Sequence, residues 1–598
     1  MQKFFKTVAK IFLFTMLCFN FAYAADITGS GNEITEDSSV LQNINGNDTE
    51  LTIKNSATLE RGNNPIKTNT HLRATIVVES GATVSTSTGS NAIQAIDAGK
   101  GLSITNSGTV KAANSKAINL TDVEEGTLTN NSGGIIQANT NTISMLESDG
   151  DTTDNITINN SGTIFATDNS NVETNTIKTD DDSTNITINN NSGGHIYHTS
   201  AGTVIMLGGS ATLNNSGKIE NKDGPNEESI TMSGSAGAEV NLNDGGLVIG
   251  TIRITGSGHK LNVKHGPGQG YYYETVGNGT YEVKDKNKNP IVKGSAGSVG
   301  QGSNETLDET LSYKSLNIRK SLTRFNKNDE YSDQDETWAE IFSSFQKRKE
   351  KSGILRLSNE TIGVGANIIN PISKDKNIIV SVETGLQKFS KDHDINKLSI
   401  STGLHFEEIK INNSINSELY FLLGIGHNKS ERQILTNTTT SGRLDITDSY
   451  LNYDFLIGNK INFNDLLPDL GLNLGYSYTP SHEESKYYKW EDKHIFNGSV
   501  SLSDEYEIVK DKQTKFYLSW IADARTVIDE NVQVFYVAGA KGDYSQDHDL
   551  KEEYSLSAGI NYEYAFSKDN IFLLTLDALQ TSQFTSGLQA NLNYNIKF

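Results

Sequence analysis

Cysteine is almost missing. The 598 residues contain one, Cys18, and it lies in a leader whose grammar is secretory: Lys3, Lys6 and Lys10, an apolar run, then Ala22-Tyr23-Ala24. A signal peptide is expected over 1–24 with cleavage after Ala24. The mature chain then forms no disulfide and must hold together by packing and backbone pairing. Long hydrophobic runs are also lacking. After the leader no apolar stretch reaches the roughly 18 residues that a membrane helix needs, so any membrane-spanning part has to be a β-barrel. Positive charge is in deficit: Lys+Arg 51 against Asp+Glu 73 gives −22, and loss of the three leader lysines makes the mature chain more acidic still. Such a surface repels phosphates, and no nucleic-acid partner is expected.

Motifs of catalysis are absent as well. Neither GDSGG nor G-x-S-x-G occurs, and there is no GxxxxGK phosphate loop. "HEESK" at 482–486 opens like a zinc-protease helix, but Lys486 stands where the second histidine belongs. His195 and His198 in "HIYH" are three apart, which on a strand places them on opposite faces. Asp149 and Asp151 are spaced for calcium, yet Asp154 takes the required glycine position and Asn160 that of the bidentate glutamate. Asp180, Asp181 and Asp182 read as an exposed loop. No catalytic residue, metal site or cofactor is expected, and the chain is read as not an enzyme.

What the chain has instead is two grammars. From 25 to 255 aromatics are scarce and one phrase returns: "LSITNSGTVKA", "LTNNSGGIIQA", "ITINNSGTIFA", "ITINNNSGGHIYH", "ATLNNSGKIEN". Each is a short alternating strand, a Ser-Gly turn and a second short strand. The marker serines Ser80, Ser107, Ser132, Ser161, Ser192 and Ser216 stand 24 to 31 residues apart, a spacing proper to stacked solenoid rungs. A right-handed parallel β-helix is the expected passenger, with asparagines stacking as amide ladders at the turns. A disordered Asn/Ser/Thr/Gly stalk is the competing reading, against which the regular apolar alternation argues. Residues 256–302 break the repeat and read as final rungs or a capping unit followed by a glycine-rich linker.

In the segment 303–328, Leu307, Leu311, Ile318 and Leu322 keep helical spacing, and Lys314, Arg319, Lys320 and Arg324 make its later turns basic. It is either an ordinary surface helix or one that threads a lumen. From 329 to 598 aromatics become frequent and alternating segments of ten or more residues succeed one another, "NVQVFYVAGA" among them; the count is twelve or thirteen, and twelve is preferred because single-chain bacterial barrels have even strand numbers. The last stretch, "GLQANLNYNIKF", sets Leu588, Ala590, Leu592, Tyr594, Ile596 and Phe598 on one face and polar residues on the other, the pattern of a strand between lipid and lumen.

Leader, repetitive β-helix, glycine-rich linker, helix and a C-terminal segment of about 260 residues together resemble a monomeric autotransporter of type V secretion. The most specific residues are "TWAEIFSSF" at 337–345, similar to the opening of that family's barrel with Trp338 in the first strand, and the aromatic ending "NLNYNIKF". The resemblance implies an all-β protein with a 12-stranded transmembrane barrel whose lumen holds the 303–328 helix. It also implies recognition of Leu592, Tyr594, Ile596 and Phe598 by the outer-membrane barrel assembly machinery. The barrel would lie in a Gram-negative outer membrane, with the passenger at the cell surface or released. Some relatives cut the passenger free at an Asn-Asn pair in this helix; a lone Asn317 argues against that here. The expected role is an adhesin-like binding surface for a host or other surface ligand. A secreted hydrolase with an unrecognised site, and a porin-like channel, are the alternatives.

Overall fold

The computed structural model describes residues 24–286 and 336–597, apart from 70–72, 98–99, 147–152, 168–173, 267–268, 349–356, 374–375, 390–392, 413, 464–466, 486–487, 511–512, 530–531, 538–539, 546–551, 568–569 and 583–584. Leader residues 1–23, the 303–328 segment and Phe598 lie outside the described residues. The chain divides into two compact units, a parallel β-solenoid and a closed antiparallel barrel. Both are all-β, as expected, and together they are the architecture that the resemblance implies.

In the solenoid each circuit lays strands in three parallel sheets. The first sheet has eleven strands, from Ala25–Ile27 to Thr275–Val276; the second has eleven, from Asn32–Ile34 to Tyr281–Asp285; the third has eight, from Thr58–Arg61 to Leu247–Ile249. The repeated phrase runs from a second-sheet strand through the Ser-Gly turn into a third-sheet strand: Ile156–Asn160 leads to Thr163–Ala166. Register is set by apolar side chains that must all point inward. Ile76, Ile104, Leu128, Ile158, Ile188 and Leu213 stack one above another in the second sheet. Val110, Ile136, Ile164, Ile196 and Ile219 do so in the third. All are at most 1 % exposed, so the core is continuous although each rung adds only a few residues to it. Burial of this kind stabilises by about 1.5–3 kcal/mol per side chain.

The glycine of the turn is needed for close approach. A Cβ on Gly162 would strike the carbonyl oxygens of Gly134 and Asn131 in the rung before it, and one on Gly217 those of Gly194 and Asn191. The longer "NNSGG" turns insert a second glycine that takes positive φ, +84° at Gly133 and +85° at Gly193.

Twelve strands close the barrel: Glu336–Arg348, Leu357–Ser373, Lys376–Phe389, His393–Asn412, Ile415–Thr436, Arg443–Asn462, Asp469–Thr479, Lys493–Lys510, Thr514–Asp529, Glu552–Ser567, Asn570–Thr581 and Ser586–Lys597. Each pairs with its neighbours, and the last pairs antiparallel with the first, Leu592 opposite Ile341 and Asn595 opposite Trp338. "NVQVFYVAGA" is not a wall strand. Val532–Val537 pairs with Ala540–Ser545 and Tyr488–Trp490 in a separate four-stranded sheet that also includes His482–Glu484. A hairpin between wall strands alternates as they do, so periodicity alone does not tell them apart.

Candidate functional site: a lipid-facing barrel and an exposed solenoid

Alternation along the wall strands separates two environments. Outward positions are large and apolar: Ile362 is 64 % exposed, Leu474 65 %, Leu556 57 % and Leu588 65 %. On a water-facing sheet such a belt would be an aggregation surface; around a closed barrel it is what hydrocarbon requires. Leu592 and Tyr594 belong to this belt. The backbone of Ile596 and Trp338 lies in the closing pair of strands.

Inward positions are polar and buried. Asn428 donates to Asn452 (2.8 Å), Asn452 to Asp454 (2.8 Å), and the Ser477 hydroxyl also donates to Asp454 (2.7 Å). Tyr420 donates to Asn473, and its ring covers Gly458, where a Cβ would collide with it. Lys460 pairs with Asp469 at 3.0 Å and Lys515 with Glu563 at 3.3 Å. Further acids on this side, Glu505, Asp523 and Asp577, give the lumen an acidic lining among the described residues. His482 of the "HEESK" motif starts a short strand opposite Trp490 rather than a helix, and its Nε2 lies 3.1 Å from Asp448.

In the solenoid, buried Asn106, Asn130, Asn160, Asn190 and Asn215 occupy the position before each turn and form the expected amide ladder. The Nδ2 of each of the first four donates to the Oδ1 of the next rung, at 2.8, 2.8, 2.9 and 2.8 Å, and that of Asn215 to the Leu247 carbonyl at 3.1 Å. A second ladder runs outside. Asn189, Asn214, Asn241 and Asn262 each donate to the asparagine of the rung before, beginning at Asn159, over 2.8 to 3.0 Å.

The outer side of the third sheet carries the solenoid's main cluster of aromatic and charged groups. Phe165 and Tyr197 stack at 4.7 Å and 8°, and the Lys222 ammonium sits 3.9 Å from the Tyr197 ring centre. His195 Nε2 is 3.0 Å and Lys218 Nζ 2.8 Å from Glu220. Burial holds the His195 imidazole below its ordinary value, with Glu220 opposing that shift. Burial disfavours ionisation of Glu220, but Lys218 and His195 outweigh it and keep the carboxyl below its usual range. His198 faces the other way, fully buried, with its Nε2 3.1 Å from the Thr174 hydroxyl. The pair therefore does not converge on a metal. Sequence reasoning did not single out Phe165, Tyr197, Glu220 or Lys222. Aligning "GTIFA", "GGHIYH" and "GKIEN" would have placed the first three in one column.

No protein-family profile and no curated protein matches the chain. Solved structures do. The translocator domain of autotransporter NalP from Neisseria meningitidis is similar over 49 % of this chain and 98 % of its own, at 13 % identity and a TM-score of 0.34. The transport unit of the autotransporter AIDA-I from Escherichia coli covers 48 % and 98 %, at 10 % identity and a TM-score of 0.29. An outer membrane channel from Pseudomonas putida F1 covers 46 % and 98 %, at 10 % identity and a TM-score of 0.30.

Proposed function

We propose that this chain is an autotransporter: its barrel lies in a Gram-negative outer membrane and exports the solenoid, which serves at the cell surface as a non-enzymatic, adhesin-like binding face. The observation that carries this reading is the joining in one chain of a closed twelve-stranded barrel with an apolar outer belt and a solenoid held together without disulfides. A barrel of this kind removes every strand edge and satisfies its backbone within hydrocarbon. The solenoid can form rung by rung, each new rung templated on the last, which suits a chain delivered progressively through a pore.

The acidic lumen is complementary to Lys314, Arg319, Lys320 and Arg324 of the 303–328 segment, and we assign that segment to it. The closing strand, with Leu592, Tyr594, Ile596 and Phe598, is assigned to recognition by the barrel assembly machinery. Antibody against the repeats should stain intact cells that make the full chain, and staining should vanish when residues 586–598 are deleted. Undiminished staining of the truncated chain would overturn the assignment of barrel closure to display.

A further inference from the structure

The outer face of the solenoid's second sheet differs from the other two. Its first outward rank reads Thr75, Ser103, Thr127, Thr157, Thr187 and Thr212, six hydroxyls in unbroken register. The second rank, two residues further along each strand, reads Val77, Thr105, Thr129, Asn159, Asn189 and Asn214 over the same six rungs. No charge interrupts either rank, whereas Glu50 precedes the first and Glu239 follows it.

Strand propensity favours threonine on such a face, but it favours valine, tyrosine and isoleucine equally. The third sheet, built from the same repeated phrase, carries Ile135, His195 and Lys218 in one outward rank and Lys111, Phe165, Tyr197 and Glu220 in the other. The uniformity of the second sheet is therefore a property of that face and not of the repeat. Its hydroxyls are also uncommitted. Among the described residues, Ser103 and the threonines at 75, 105, 127, 129, 157, 187 and 212 make no side-chain hydrogen bond, while Thr142, Thr176 and Thr179 elsewhere in the solenoid spend theirs on backbone carbonyls. The asparagines of the second rank are held in one orientation by their own ladder, and each keeps a further N–H and lone pair. Strand spacing sets this grid of donors and acceptors at about 4.8 Å along the axis and about 6.6 Å across it.

We propose that this face binds a neutral polysaccharide lying along the solenoid axis. An uncharged, rigid grid of hydroxyl and amide groups on an otherwise acidic chain offers nothing to a cationic or anionic partner and has no apolar anchor for a protein. A polyhydroxylated chain matches it in chemistry, and its short, regular repeat lets it meet the ranks at several rungs. Single hydrogen bonds exposed to water contribute little, so affinity comes from many repeats engaged at once. This deepens the binding-face reading above and rests on it.

The test uses the full-length chain in detergent, sedimented with insoluble cellulose and chitin and, separately, with a cross-linked polygalacturonate gel. Retention is expected on a neutral polymer and not on the anionic gel. The triple variant T127V/T157V/T187V keeps branched strand formers but removes three central hydroxyls, and should weaken binding at least tenfold. Thr157→Lys should do the same, and Lys111→Glu on the third sheet should not. Equal retention of the valine variant, or retention on the charged gel alone, would overturn the proposal. Growth arrest of ice by a chain retained on neither polymer would overturn it too, by assigning the grid to a water lattice. Because solubilised protein is used, failure here leaves surface staining, and with it the display reading, intact.

Discussion

Replacing Asn160 by alanine probes the inner amide ladder at its centre. Asn160 is fully buried and tied in three ways: it accepts from Asn130 Nδ2 (2.8 Å), donates to Asn190 Oδ1 (2.9 Å), and accepts from the Gly162 N–H of the turn (3.2 Å). In the variant, Asn130 Nδ2 keeps the carbonyls of Gly134 and Thr163, but Asn190 Oδ1 and Gly162 N–H lose the side chain that satisfied them. At about 1–3 kcal/mol for each buried polar group left unsatisfied, the loss is about 2–6 kcal/mol. Asn106 starts the ladder, so Asn106→Ala removes the donor to Asn130 Oδ1 and two longer bonds to the carbonyls of Gly108 and Ile135, leaves no turn N–H without its acceptor, and should cost less. Repeat arrays do not unfold in a single step, so a global melt blurs this difference. Native-state hydrogen exchange at the strands Ile156–Asn160 and Thr187–Asn190 reads it locally. With tenfold per 1.4 kcal/mol, amides there should exchange about 30-fold to about 20,000-fold faster in Asn160→Ala. Exchange within about threefold of the native protein, or equal damage from Asn106→Ala, would refute the ladder as a source of stability.

Four further outcomes follow from the same geometry. Gly162→Ala drives a methyl into the carbonyls of the preceding rung and should open the 156–166 turn to limited proteolysis, whereas Gly133→Ala, with open space around it, should cost only its backbone strain of about 1 kcal/mol. Gly458→Ala collides with the Tyr420 ring across the lumen wall and should lower the fraction of chain that runs as folded barrel in unheated gels, with Tyr420→Ala restoring it. The His195 imidazole is held below its ordinary 6.5, so the fold favours its neutral form; that stability is complete above about pH 6.5 and is lost as pH falls toward the depressed value. Glu220, also depressed, adds a second loss below about pH 4.5, so solenoid unfolding midpoints should fall from pH 7 to 4, and His195→Gln should flatten the upper part of that curve. Leu592→Arg places a charge on the lipid belt and should cost about 2–4 kcal/mol if it lies at mid-bilayer, read as a lower refolding yield into lipid vesicles.

The solenoid was legible because its repeat is written in residues with one physical use each: isoleucine at the inward position, asparagine before the turn, glycine where two backbones touch. Which asparagines are buried was not legible, since Asn159 and Asn160 are adjacent and identical in chemistry yet lie on opposite faces of one strand. The barrel was legible in kind and in strand number. Its boundaries were less so, because Val532–Val537 alternates like a wall strand while Lys493–Lys510 does not: Ile495 points inward and Gly498 interrupts the outward row. The third-sheet cluster escaped because its members on neighbouring rungs are 23 to 32 residues apart and meet only through the register.

Protease shaving of intact cells, with one antibody against the repeats and one against the barrel, asks whether the barrel places the solenoid outside the cell. Loss of the repeats and survival of a barrel-sized fragment in the membrane are expected. Repeats that resist protease on intact cells and are digested only after the outer membrane is permeabilised would place the solenoid in the periplasm and contradict it.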